Sequence, residues 1–246
     1  MSRVITRRRL LTTGAAAAGT TLLAGCDRLY EALPTRPLLD FGQMLSYRAH
    51  RLLLAGQPLV REYALEDISP DFPPNGTAMP SGSAYFDFIT SNFENWRLQV
   101  DGLVRNKLSL SLDEIQQMPS RTQITQHSCD EGWTAIGQWK GVPLAHLLQR
   151  AELQPEARFI VFLCLDEMTA GDFYYESIDL FDAFHPQTIL AYGMNGKALP
   201  IPHGAPLRLR VEKQIGYKSM KYVHRINVTD EFVDKGDDGW AWYTGI

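Results

Sequence analysis

The stretch with the clearest chemical potential is Gln126-His127-Ser128-Cys129-Asp130-Glu131-Gly132-Trp133, which continues to Gln138-Trp139-Lys140-Gly141-Val142-Pro143. A strand-like run ends in polar residues around a single cysteine, crosses a glycine and two tryptophans, and opens an apolar helix at Pro143. A thiol on such a turn is held from both sides yet stays reachable from a cleft, which suits a metal ligand or a nucleophile. Thiolate is a soft ligand, and coordination itself removes its proton. One cysteine cannot hold zinc or an iron–sulfur cluster, and His127, Asp130 and Glu131 are too close in sequence to converge on one atom. A cofactor that brings its own ligands would meet the shortage. The rival chemistry is a cysteine hydrolase or acyltransferase in which Cys129 uses His127, His146 or His203 as base, and that chemistry also needs an oxyanion site.

The second constellation is electrostatic. From residue 207 to 225 there are six basic residues (Arg208, Arg210, Lys213, Lys218, Lys221 and Arg225) against one acid, Glu212. A positive segment in an acidic chain points to an anion site; for Arg210 and Lys213 the preferred reading is a solvated strand face. His203-Gly204-Ala205-Pro206 and Gly216-Tyr217-Lys218-Ser219-Met220-Lys221 flank it as glycine turns through which backbone can approach a ligand. Glu131, Asp172, Tyr174 and Glu176 are candidates to line a substrate side. The thiols past residue 26 are Cys129 and Cys164. A disulfide between them is the alternative to two free thiols, and the apolar run around Cys164 favours a small core residue.

Elements to position these groups follow from pattern. Residues 41–53 repeat Phe41, Met44, Leu45, Ala49, Leu52 and Leu53 at helical spacing, an amphipathic helix expected to pack on the core. Residues 68–82 hold four prolines and two glycines, so they run irregularly over the surface or into a cleft. Residues 85–88 are aromatic-rich and predicted extended. Residues 96–100 and 122–126 alternate as strands, and Ser111 with Glu114 forms a capping box. Pro143 starts a helix with Leu144, Leu147, Leu148 and Ala151 on one face. Residues 159–165 form a central strand, a brief helix lies near Phe181, and Asn195-Gly196 turns a hairpin. Leu207, Leu209 and Val211 alternate with Arg208, Arg210 and Glu212 as a half-buried strand, and residues 222–228 form another. The predicted fold is mixed α+β, mostly β sheets around one core with short helices.

The N-terminus reads as an address. Arg7-Arg8-Arg9 precedes an apolar run from Leu10 to Gly25 that is too short and weakly hydrophobic to span a bilayer. This matches a twin-arginine export signal, a pathway for proteins folded before export. Leu23-Ala24-Gly25-Cys26 fits a lipobox with Cys26 as the lipidated residue, and Asp27 fits inner-membrane retention. The expected divisions are 1–25 as signal, 26–80 as tether, helix and irregular segment, and 81–246 as the catalytic domain. The formal charge of the 246 residues is −4; without residues 1–25, which hold four arginines and no acid, 20 basic residues face 28 acids, a net of −8. That balance argues against nucleic-acid binding. An apolar fraction of 45% excludes a disordered chain.

With these residues in place, the chain resembles the sulfite-oxidase-fold molybdopterin oxidoreductases. The likeness runs in order through the Cys129 motif, Gly141-Val142-Pro143-Leu144, Tyr192-Gly193-Met194-Asn195-Gly196, His203-Gly204-Ala205-Pro206-Leu207-Arg208-Leu209 and Gly216-Tyr217-Lys218-Ser219, over about residues 81–228. It is nearest to the bacterial exported members, methionine-sulfoxide reductase catalytic subunits among them. The resemblance implies a molybdenum–molybdopterin cofactor with Cys129 as the protein's ligand to the metal. It implies cofactor contacts at Ser83, Phe86, Asp87, Cys164, His203, Arg208, Ser219, Met220 and Lys221. Ser83 and Cys164 depart from the reductase pattern, and His203 stands in place of an amide. Catalytic roles fall to Cys129, Tyr174 and Glu131. The implied activity is two-electron oxygen-atom transfer, the reduction of a small S- or N-oxide; acids beside Cys129 disfavour dianionic sulfite. A membrane haem protein or a cytochrome is the implied electron partner.

Overall fold

The computed structural model describes residues 36–54, 56–169 and 172–231. The signal, the lipobox and Cys26 lie outside the described residues. The chain divides into two units, Met1–Gly56 and Gln57–Ile246. In the first, the amphipathic pattern forms helix α1, Arg36–Leu53, which starts ahead of the stripe read from Phe41. Phe41, Leu45, Leu52 and Leu53 are at least half exposed, so the stripe is not buried against a core as expected. Among the described residues no helix is long and apolar enough to cross a membrane. The second unit begins at Gln57, ahead of the boundary expected at residue 81, and takes in the proline-rich segment.

Two sheets build this second unit. In the first, strands β1 (Arg97–Gly102), β2 (Leu108–Ser111), β5 (Phe159–Thr169), β6 (Asp172–Asp179) and β10 (Val223–Thr229) lie in the order β2-β1-β10-β5-β6. Only the β1–β10 pair among these is parallel. In the second, β3 (Arg121–Ser128), β4 (Thr134–Pro143), β7 (Ile189–Met194) and β8 (Lys197–Ala198) run in sequence, and β9 (Arg208–Arg210) also pairs with β7. Asn195 and Gly196 both take positive φ, as a two-residue hairpin turn between β7 and β8 requires.

The main core lies against the first sheet. Leu98, Val100, Ile160, Phe162, Val223 and Ile226 meet Leu144, Leu147, Leu148 and Ala151 of helix α4, which spans Leu144–Ala151. Those four helical positions are the i, i+3, i+4, i+7 face read from the sequence, and each buried leucine contributes about 1.5–3 kcal/mol. Ser111 caps the short helix α3, Leu112–Gln116, through its reciprocal bond with Glu114.

Two sequence expectations are corrected here. The aromatic-rich segment at residues 85–88 is helix α2, Ser83–Thr90, rather than an extended stretch. Tyr85, Phe88 and Ile89 pack on the main core, so the apolar spacing is helical and the remaining ring, Phe86, faces out. The strand carrying Arg208 and Arg210 is buried on both faces, with the arginines 0% and 1% exposed, so Arg210 does not lie on a solvated face. Glu212 and Trp139 take the place of water around it.

Candidate active site around Cys129

Strands β3 and β4 form a hairpin, and Cys129 is the first residue of its turn. The Cys129 amide donates to the Trp133 carbonyl at 2.9 Å, and Gly132 N–H returns to the Cys129 carbonyl at 3.1 Å. The thiol is buried, accepts from the Glu131 amide at 3.5 Å and lies 3.6 Å from Asp130 Oδ1. Burial raises its pKa, aided by the Asp130 and Glu131 carboxylates and opposed by the Glu131 amide. Cys164 is buried on β5, and both thiols are free.

A cavity of about 300 Å³ opens beside this turn. Its walls come from four places in the chain: Asn75, Gly76 and Thr77 from the proline-rich segment; Asp130 and Glu131 from the cysteine turn; Asp166 and Tyr174 from β5 and β6; and Gly216 with residues 217 and 219–221. Of the residues singled out from sequence, Glu131, Tyr174, Ser219, Met220 and Lys221 line it. Cys129 lies directly behind the wall, since a Cβ on Gly216 would come 3.1 Å from Cys129 Cα. Arg208 reaches the wall through Ser219 O at 3.1 Å and Asn75 Oδ1 at 3.5 Å. The His203 ring packs on Phe72, and its carbonyl accepts from Arg208. Ser83, Phe86 and Asp87 are exposed on α2, and Cys164 is inside the main core; none of these four lines the cavity. The Asp172 side chain lies outside the described residues.

The basic segment divides in two. Lys218 is 2.7 Å from Glu176 in a buried ion pair, and Arg225 pairs with Asp101. Glu176 therefore belongs to a structural pair rather than to the cavity wall. Arg208 and Lys221 are buried and make no ion pair with a carboxylate among the described residues. Lys221 Nζ donates instead to the carbonyls of Asn75 at 2.5 Å, Pro202 at 3.1 Å and Thr77. Burial, then mutual repulsion among the cations, pulls Arg208 down to about 9 and Lys221 to about 8. Such cations favour a bound anion strongly.

Asp166 escaped the sequence reading. It lies where β5 bulges: Leu163 pairs with Tyr175 and Glu167 with Phe173, so the longer β5 segment bows out. The bulge turns the carboxyl into the cavity with Oδ1 lacking a hydrogen-bond partner among the described residues. Burial raises its pKa to about 6. The Asn75–Thr77 strap was also missed as a wall, although its proline-rich composition allowed entry into a cleft.

The geometry speaks against the hydrolase chemistry with His127 or His146 as base. His127 Nδ1 is 2.8 Å from an arginine nitrogen, Arg210 Nη1, so it has no lone pair for a thiol. His146 is exposed on α4, and the Cys129 thiol is shifted away from ionisation rather than toward it. Among the described residues, no group of three His, Cys, Asp or Glu side chains could hold a metal ion unaided. What the site offers is one thiol, two buried cations that form no direct ion pair with a carboxylate among the described residues, and one buried acceptor. These residues fit an extended anionic group with its own metal ligands and N–H donors.

Residues 86–235 match the sequence profile of the family described as the oxidoreductase molybdopterin binding domain. The chain belongs to that family. Among relatives of this molybdopterin-binding oxidoreductase, a chain of Azospira oryzae bearing the name of a protein-methionine-sulfoxide reductase subunit, YedZ1, is 39% identical over 61% of this chain and 56% of its own. The protein-methionine-sulfoxide reductase catalytic subunit MsrP of Ralstonia nicotianae is 36% identical over 57% of this chain and 44% of its own. The chain thus spans about half the length of the relatives it matches. The crystal structure of the sulfane dehydrogenase SoxCD from Paracoccus pantotrophus shares the fold, with a TM-score of 0.52 and 24% identity over 56% of this chain and 39% of that one.

Proposed function

We propose that this molybdopterin oxidoreductase transfers an oxygen atom and two electrons at a molybdenum bound by Cys129, and that it reduces a small S-oxide or N-oxide. The observation that carries the reading is the pair of buried cations, Lys221 on the cavity wall and Arg208 bonded to that wall, which form no direct ion pair with a carboxylate among the described residues and stand near a single buried thiol. The relatives named as methionine-sulfoxide reductase subunits support the substrate class.

When bound, the molybdenum–pterin supplies the oxygen-atom transfer, and the protein supplies position and electrostatics. Arg208 and Lys221 would hold the pterin phosphate by charge-assisted bonds, Lys221 exchanging carbonyl acceptors for phosphate oxygens. Asp166 would accept from N–H groups of the pterin, with Ser219 and the backbone at Met220 flanking it. His203 stands beside Arg208, and Ser83, Phe86, Asp87 and Cys164 are proposed as outlying contacts from α2 and β5. Cys129 would bind the metal as thiolate, the metal's charge offsetting the burial that raises the thiol's pKa.

Tyr174 donates its hydroxyl to the Tyr217 carbonyl at 2.9 Å and stays protonated, because burial raises its pKa well above the usual phenol value. Its single O–H is committed to that carbonyl, so it would serve a substrate oxygen only by exchanging the Tyr217 carbonyl for it. Glu131 is held ionised at the mouth by Trp133 Nε1 and the Gly76 amide. With Asp130 beside it, this rim disfavours a dianion and admits neutral or cationic oxides.

Export by the twin-arginine route, a lipid anchor at Cys26 on the periplasmic face of the inner membrane, and electrons from a membrane haem subunit or cytochrome complete the reading. The domain division at residues 25 and 80 is part of the same proposal. A screen of sulfoxides and N-oxides with a reduced dye donor tests it. Dye oxidation by wild type and none by Cys129→Ala is expected; turnover that survives the substitution would remove the assigned ligand.

A further inference from the structure

Behind Cys129 lies a buried polar chain that the proposed chemistry does not use. Glu212 grips Arg210 at two points, Nε to Oε1 at 3.0 Å and Nη2 to Oε2 at 2.7 Å, and Gln123 donates to Glu212 Oε1 at 2.9 Å. Arg210 also lies over the Trp139 ring, 4.5 Å from its centroid. Its third nitrogen, Nη1, is 2.8 Å from His127 Nδ1. Arginine has only donors, so Nδ1 must accept, and the hydrogen of the imidazole sits on Nε2. That Nε2 is buried and has no hydrogen-bond partner among the described residues.

The far edge of the ring meets the cysteine turn. A Cβ on Gly216 would stand 2.9 Å from His127 Nε2 and 3.1 Å from Cys129 Cα, so the two atoms are at most about 6 Å apart across a gap that glycine keeps open. Gly216 itself lines the cavity. A fully built chain of three side chains thus ends on a buried donor beside the backbone of the cysteine turn. Buried polar networks are stabilising only when every member is satisfied, so this donor calls for an acceptor.

We propose that Glu212 and Arg210 lock His127 as an Nε2–H donor to the sulfur of Cys129 once that sulfur is coordinated, which makes His127 a positioning residue that tunes the metal. The inference rests on the molybdenum reading of the site. A hydrogen bond to a coordinated thiolate withdraws electron density from sulfur and favours the reduced metal. Residues that orient a ligand in this way change metal affinity by roughly 10- to 100-fold.

The test is an electron-paramagnetic redox titration of molybdenum, with metal content measured in parallel, on the loaded full-length protein. His127→Leu should shift the midpoint to more negative potential and lower metal retention roughly 10-fold or more under chelation. His127→Gln, whose amide can donate, should recover much of both. Arg210→Met combined with Glu212→Gln, which keeps the ring but frees its tautomer without stranding a carboxylate, should shift the potential in the same direction. Loaded His127→Leu with wild-type potential and spectrum overturns the inference. If His127→Leu does not fold, the double variant decides: a shifted potential supports the donor and an unshifted one refutes it. Wild type that lacks molybdenum removes the reading of the site, whereas loaded wild type beside unshifted variants removes only the role of His127.

Discussion

Asp166 illustrates how a single buried carboxyl can be costly to a fold until its ligand arrives. Its pKa is raised from 3.8 to about 6, chiefly by burial. Between about pH 4 and pH 6 the native chain therefore holds a proton that the unfolded chain has released. Stability falls as pH rises through that window and stays reduced above it. In protein prepared without cofactor, Asp166→Asn should add on the order of 2–3 kcal/mol at about pH 7.5 and little below about pH 4. Thermal melts at both pH values check this, and an equal gain at both would rule out the buried charge as cause. Cys129 is the residue most open to sequence reasoning, because a lone thiol on a polar turn has few chemical uses. Asp166 was hidden: Leu163-Cys164-Leu165-Asp166 reads as an ordinary strand, and only the pairing with β6 shows the bulge that aims it inward.

At the scale of elements, the cavity depends on how the turn at residues 216–218 is fastened to β6. Lys218 bonds to both Glu176 Oε2 and the Ser177 carbonyl, and the pair is 2% and 1% exposed. Lys218→Met leaves a buried carboxylate without its cation and should cost about 3–5 kcal/mol, whereas Lys218→Met with Glu176→Met should restore most of it. Chemical denaturation of the single and double variants measures the difference; equal losses would mean that the lysine acts by packing. The Asn195-Gly196 hairpin, the Ser111 cap and the leucine face of α4 were legible because turn chemistry and 3.6-residue spacing are local. Helix α2 was misread because four neighbouring aromatic-rich positions obscure which of them face the core. Arg210 was misread because alternation predicts an outward face, and nothing local tells that Glu212, Trp139 and His127 close over it.

For the whole molecule, family membership and two-sheet architecture agree with the mixed α+β expectation. On the export reading, replacing Arg8 and Arg9 with lysine should hold the folded protein in the cytoplasm, and Cys26→Ala should release it from the membrane fraction. Cell fractionation with immunodetection reads both, and unchanged membrane association of Cys26→Ala would rule out the lipid anchor. The electron partner, a haem protein or cytochrome, rests on the resemblance alone, because docking surfaces are distributed over the surface rather than written in a motif. The most direct measurement is molybdenum and pterin content per chain in native wild type beside Cys129→Ala. About one molybdenum per wild-type chain, sharply reduced in the variant, is expected if one thiolate supplies the protein's bond to the metal. Wild type without the metal, or a variant that keeps the full complement, would contradict it.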